Sequence, residues 1–96
     1  MKNKNTFQGY LKGKLRNKTF REAYEHYSAV LEIGLRVRAL REKAGLTQAD
    51  LASRLNVSQQ MVSRLESGES ANPTVTTLER IAKATGHQLR LEFEPA

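Results

Sequence analysis

The sequence contains no cysteine, and this excludes disulfides, thiolate metal sites and cysteine nucleophiles together. It also lacks any apolar run near the roughly 18 to 20 residues of a membrane span. The opening Met1-Lys2-Asn3-Lys4-Asn5 has none of the apolar character of a signal peptide, so a cytoplasmic protein without membrane contact is expected. Histidine is confined to His26 and His87, and no paired-carboxylate spacing or glycine-rich phosphate loop accompanies them. Catalysis, a cofactor and a bound metal are therefore not expected. Acid is missing from the first 18 residues, where Lys2, Lys4, Lys12, Lys14, Arg16 and Lys18 hold the whole net charge of +6. The ten acidic residues and the other ten basic ones balance in residues 19–96. A basic arm on a neutral body can contact phosphates through counterion release, or can simply be solvated.

What is present fits one small soluble domain. The chain has 96 residues, 39% hydrophobic and 27% charged, enough for a single core that a partner would help to stabilise. Residues 1–18 read as a weakly helical arm. Thr6 can cap it, and Phe7, Tyr10, Leu11 and Leu15 share a face, but Gly9 and Gly13 each cost about 1 kcal/mol relative to alanine. Residues 19–96 read as the domain. Thr19 with Glu22 has the capping-box spacing. From there Phe20, Ala23, Tyr27, Val30, Ile33, Val37, Leu40 and Ala44 recur at steps of three or four, interrupted only by Gly34. The resulting helix of about 25 residues and roughly 37 Å is longer than so small a domain can cover, so its upper half should pack on a partner or on the arm.

Gly45 ends that helix, and Thr47 with Asp50 caps the next, Gln48 to Leu55. Asn56-Val57-Ser58 makes a tight turn, and Ser58 caps a helix from Gln59 to about Ser67 that Gly68 terminates. Pro73 and Thr74 open another, with Val75, Leu78, Ile81 and Ala82 facing inward and Gly86 closing it. In residues 88–94 polar and apolar residues alternate strictly, the pattern of a half-buried strand. No second strand is evident. Leu89, Leu91 and Phe93 are therefore expected to pair with another chain, either the same strand of a second copy or a different protein, or else to pack unpaired on the body.

Residues Gln48 to Leu65 fit a helix-turn-helix. Leu51, Leu55, Val57, Val62 and Leu65 are its apolar set, Ala52 is small where two helices meet, and Asn56 holds the turn. The helix from Gln59 is the one suited to a DNA major groove. The amides of Gln59 and Gln60 can pair with adenine N6 and N7, Arg64 has the fork for guanine O6 and N7, and Ser58 and Ser63 complete the base-reading set. Thr47, Arg38, Lys43, Arg54 and the backbone around Ser67, Gly68 and Asn72 are candidates for phosphate contact.

Leu35 to Leu91 resembles the Xre-type helix-turn-helix family of phage repressors and bacterial antitoxins. The resemblance rests on Arg41, Gly45-Leu46-Thr47-Gln48-Ala49-Asp50-Leu51-Ala52, Ser58-Gln59-Gln60, Leu65-Glu66-Ser67-Gly68 and Asn72-Pro73 leading to Leu78. Arg64 to Gly68, Leu78 to His87 and Phe93-Glu94-Pro95 look more narrowly like HigA-type antitoxins. The resemblance implies an all-α, lambda-repressor-like bundle of about five helices with a long first domain helix and a short C-terminal strand. It implies a homodimeric, sequence-specific repressor on an inverted-repeat operator, and a small RelE/HigB-like ribonuclease toxin as partner. It also implies that Arg41 pairs with Glu66 to fix the helices, and that Gln48 contacts a phosphate and braces Gln59. A stand-alone phage or mobile-element repressor and a protein-binding module without DNA contact are the alternatives.

Overall fold

In the computed structural model, which describes residues 2–70 and 72–96, five helices follow one another: α1 (Lys2–Leu15), α2 (Lys18–Lys43), α3 (Gln48–Leu55), α4 (Gln59–Ser67) and α5 (Val75–Ala84). No strand occurs among the described residues. The expected C-terminal strand over 88–94 is thus corrected: this stretch has no regular secondary structure, with Leu89 half-buried and Leu91 and Phe93 exposed. The reason is the one the alternation cannot supply, since a strand exists only as part of a ladder and nothing in this chain offers the other half.

Local chemistry sets the helix boundaries. Thr47 and Asp50 form a complete capping box, the Asp50 N–H donating to Thr47 Oγ1 at 3.0 Å and the Thr47 N–H to Asp50 Oδ2 at 2.9 Å. Those bonds hold the Asp50 carboxyl below its usual range, the Thr47 backbone N–H contributing most. Asn56 ends α3 at φ 57° and ψ 46°, the left-handed conformation that asparagine tolerates. Ser58 then caps α4 through the Met61 N–H at 3.1 Å, and Thr74 caps α5 through the Thr77 N–H at 3.1 Å.

Two starts differ from the sequence reading. Asn17, not Thr19, caps α2, its Oδ1 accepting from the Phe20 N–H at 3.0 Å. Asparagine is at least as good a cap as threonine and stands two residues earlier. Thr6 lies inside α1, which begins at Lys2.

The core is wholly aliphatic: Val37, Leu51, Ala52, Leu55, Val62, Leu65 and Ile81 are buried together, with Ile33, Leu46, Val57, Leu78 and Ala84 packed around them. Val75, expected to face inward, is exposed at the start of α5. Helices α2 and α4 approach so closely that Gly34 is obligatory. A Cβ there would meet the carbonyl oxygens of Leu65 and Glu66, the latter at 2.7 Å. The gap in the apolar stripe is therefore the contact point of the two helices.

Helix α2 runs 26 residues, roughly 39 Å, and residues 21–29 are exposed. Helix α1 covers only its first turn, with Leu11, Leu15 and Phe20 half-buried and Arg21 Nη1 donating to the Leu15 carbonyl at 3.3 Å. The overhang stretches the molecule to 47 × 29 × 20 Å with a radius of gyration of 16.5 Å, against about 12 to 13 Å for a compact chain of this length.

Candidate nucleic-acid interface

Helix α4 divides its residues cleanly. Val62, Leu65 and Glu66 are buried, whereas Ser58, Gln59, Gln60, Ser63, Arg64 and Ser67 are exposed. At 100° per residue Gln59, Gln60, Ser63 and Arg64 fall within an arc of about 140°. Two amides, a hydroxyl and a guanidinium therefore share one open face at the front of the helix, and this set can donate to and accept from base edges. Ser58 spends its hydroxyl oxygen on the Met61 N–H, which leaves its O–H as a donor.

Behind that face lies a buried ion pair. Arg41 Nε donates to Glu66 Oε2 at 2.6 Å and Arg41 Nη2 to Glu66 Oε1 at 3.0 Å, with the two side chains 10% and 5% exposed. Arg41 Nη1 donates to the Leu46 carbonyl at 2.8 Å. The hydrogen bonds that Arg41 donates to Glu66 outweigh burial and raise the Arg41 pKa above its ordinary value, so the guanidinium stays charged. Gln48 is drawn into the same cluster, its Nε2 donating to Glu66 Oε1 at 3.1 Å. Gln48 thus braces Glu66, whose buried carboxylate is a strong acceptor. No buried side-chain nitrogen or oxygen among the described residues lacks a hydrogen-bond partner, so the end of α2, the start of α3 and the end of α4 are locked together.

The phosphate candidates fall into two groups. Thr47, Lys43, Ser67 and Asn72 are exposed, and Gly68 is buried at φ 83°. The loop after α4 is tied back, since the Arg64 carbonyl accepts from the Glu69 N–H at 2.9 Å and from Ser67 Oγ at 3.1 Å. The other two cations are already engaged. Arg38 pairs with Glu42 at 3.2 Å on the surface of α2, and Arg54 Nη1 donates to the Ala84 carbonyl at 3.0 Å, closing the end of α5. Arg80 does the same for α3 through the Leu55 carbonyl. Sequence reading missed both arginine caps, because a tertiary contact across 25 to 30 residues leaves no local pattern.

His26 is exposed on α2, and His87 Nδ1 lies 2.7 Å from the Thr85 carbonyl. No group of three or more acidic or histidine side chains that could hold a metal ion occurs among the described residues. No helix there is long and apolar enough to cross a membrane.

Comparison with known proteins places this geometry. Among curated proteins, an immunity repressor protein of Bacillus phage phi105 is 36% identical over 59 residues, 62% of this chain and 40% of that protein. The uncharacterized HTH-type transcriptional regulator y4dJ of Sinorhizobium fredii is 44% identical over 54 residues, 56% of this chain and 69% of that protein. Human endothelial differentiation-related factor 1 is 38% identical over 69 residues, 72% of this chain and 46% of that protein. The chain thus spans about half the length of several relatives it matches. No solved structure matches it significantly. A family model described as helix-turn-helix matches residues 37–89, more than half of the chain and the whole of the α3–α4 unit with its locking pair, so the chain belongs to the helix-turn-helix family.

Proposed function

We propose that the chain is a sequence-specific repressor that reads an inverted-repeat operator as a homodimer in the cytoplasm, without enzymatic activity. One observation carries the reading: Gln59, Gln60, Ser63 and Arg64 stand exposed on one face of α4, while the opposite face is fixed by core packing and the Arg41–Glu66 pair. A rigid helix with an uncommitted polar front is what base readout requires. Two copies would present their α4 helices about 34 Å apart, one DNA turn.

The test is a binding titration on DNA selected from random sequence. Gln60→Ala should lower the preference for selected over scrambled DNA by about 1 to 3 kcal/mol while leaving binding to scrambled DNA nearly unchanged. Equal losses on both would reject base reading by this face. Each phosphate neutralised should add about 0.9 to the slope of log affinity against log salt.

The finer reading is the antitoxin of a type II pair that neutralises a RelE/HigB-like toxin and represses its own operon. It is supported by the likeness of Arg64 to Gly68 and Leu78 to His87 to HigA-type antitoxins. A repressor without a toxin is the second reading, favoured by the phage immunity repressor among the relatives. Co-expression with the neighbouring gene separates the two: co-purification with a small basic ribonuclease whose toxicity is suppressed supports the antitoxin, and its absence supports the repressor alone.

A further inference from the structure

Every aromatic residue of this chain lies outside the buried core. Phe7, Tyr10, Phe20, Tyr24 and Tyr27 belong to α1 and the first part of α2, and Phe93 to the tail. On α2, Phe20, Tyr24, Tyr27, Leu31 and Leu35 succeed one another at steps of four, three, four and four, which holds them in one row. Tyr24 is 42% exposed, Tyr27 53% and Leu35 54%, with Phe20 and Leu31 half-buried. The row that enters the core, Val30, Gly34 and Val37, is a different one, about a quarter-turn around the helix. Helix α2 is thus apolar along two rows; its own chain buries one fully and covers the other in part, Phe20 beside α1 and Leu31 against Gly68. Single apolar side chains on a surface are ordinary, but three exposed and two half-buried ones in line over about 22 Å of helix mark an interface.

The order of the row selects the occupant. It continues at steps of three and four to Arg38 and Glu42, so the full spacing from Phe20 is 4, 3, 4, 4, 3, 4. That spacing is a palindrome centred on Leu31. When two such helices lie antiparallel across a two-fold axis at Leu31, each row residue meets a row residue: Leu31 its own copy, Tyr27 against Leu35, Tyr24 against Arg38, Phe20 against Glu42. Across the pair the Arg38 guanidinium, bound to Glu42 within the single chain, would come within reach of a tyrosine face, and no charged residue in the row lies between Phe20 and Leu35. The basic surplus that would attract an acidic partner sits instead in residues 2–18, before the row begins. A two-fold axis perpendicular to the plane of the paired helices also carries both core rows, and hence both α4 helices, to the same side of the dimer, as a palindromic site demands.

We infer that this exposed row of α2 is the homodimer interface, an isologous antiparallel helix pair centred on Leu31. The inference specifies the two-copy element of the proposed repressor, and replaces the C-terminal segment as the place where copies meet.

Light scattering of the eluted full-length protein should give twice the 10.8 kDa chain mass. Tyr27→Arg and Leu35→Arg should each raise the dimer dissociation constant at least about 30-fold, the range of a central interface residue. Leu91→Ala and Phe93→Ala in the tail should leave it unchanged. Because the chain has no cysteine, a mixture of the single variants Tyr27→Cys and Leu35→Cys should oxidise mainly to the mixed 27–35 disulfide, a readout that does not depend on arginine being tolerated. A monomeric wild type, loss of the dimer on tail substitution, or 27–27 disulfides as the main product would each overturn the inference. Base reading is scored apart: the arginine variants should still prefer a selected half-site over scrambled DNA, whereas Gln60→Ala should lose that preference and remain a dimer.

Discussion

The helix-turn-helix body and the N-terminal hairpin treat apolar side chains in opposite ways. From Val30 to Ala84 the buried set is aliphatic, and even the charged pair Arg41–Glu66 is sealed inside. In α1 and the first three turns of α2 the apolar residues are larger, mostly aromatic, and none is fully buried among the described side chains. Charge divides likewise, since the first 18 residues hold the whole surplus and the rest is neutral. The body thus satisfies itself, while the hairpin keeps its contact area available. Stability and association should therefore map to different substitutions.

The largest effect should come from Glu66→Ala. It leaves the Arg41 guanidinium buried without its carboxylate and should cost about 3 to 5 kcal/mol of unfolding free energy in urea. The Arg41→Ala, Glu66→Ala double variant should lose less than the two singles summed. Gly34→Ala comes next, because α2 and α4 must separate to admit the methyl group, at about 1 to 3 kcal/mol. A wild-type-like melting temperature for this variant would break the claim that the contact is tight. The hairpin sharpens the contrast: Leu11→Ala, half-buried on α1, should cost about 1 kcal/mol where Leu55→Ala in the body costs about 2 to 5. Arg38→Ala removes only an exposed pair within one helix, worth about 0.3 to 0.5 kcal/mol to the fold of a single chain.

Acid probes the capping box. The Asp50 carboxyl is held below its usual range in the folded chain. Its contribution is therefore full above the unfolded value near 3.9 and is lost as pH falls through the folded one. Asp50→Asn should flatten that part of the stability curve, read from melting temperatures between about pH 5 and pH 2. An unchanged acid limb would show that the capping bond does not form in solution.

Features set by neighbours in the chain were legible from the sequence. The caps at Thr47 and Ser58 and the left-handed turn at Asn56 depend on a few adjacent residues, and each stands where expected, while the helix expected to open at Pro73 and Thr74 is capped by Thr74. The partnership of Arg41 with Glu66 came from family resemblance, not from spacing. Asn17 displaced Thr19 because two adequate caps stood within three residues and the better of them comes first. The tail misled for another reason: alternation records two faces, not the existence of a ladder to join. Gly34 reads as a flaw in an amphipathic stripe until the α4 backbone is placed beside it. The arms of Arg54 and Arg80, reaching the ends of distant helices, leave no trace in sequence order.

Because backbone meets backbone at Gly34 and Arg41 binds Glu66, α2 and α4 cannot slide independently and turn as one piece. A tilt of about 10° around that point displaces a site about 20 Å away by about 3.5 Å, close to one base step. Anything seated on the far arm of α2 would therefore carry the exposed face of α4 with it, by mechanics alone.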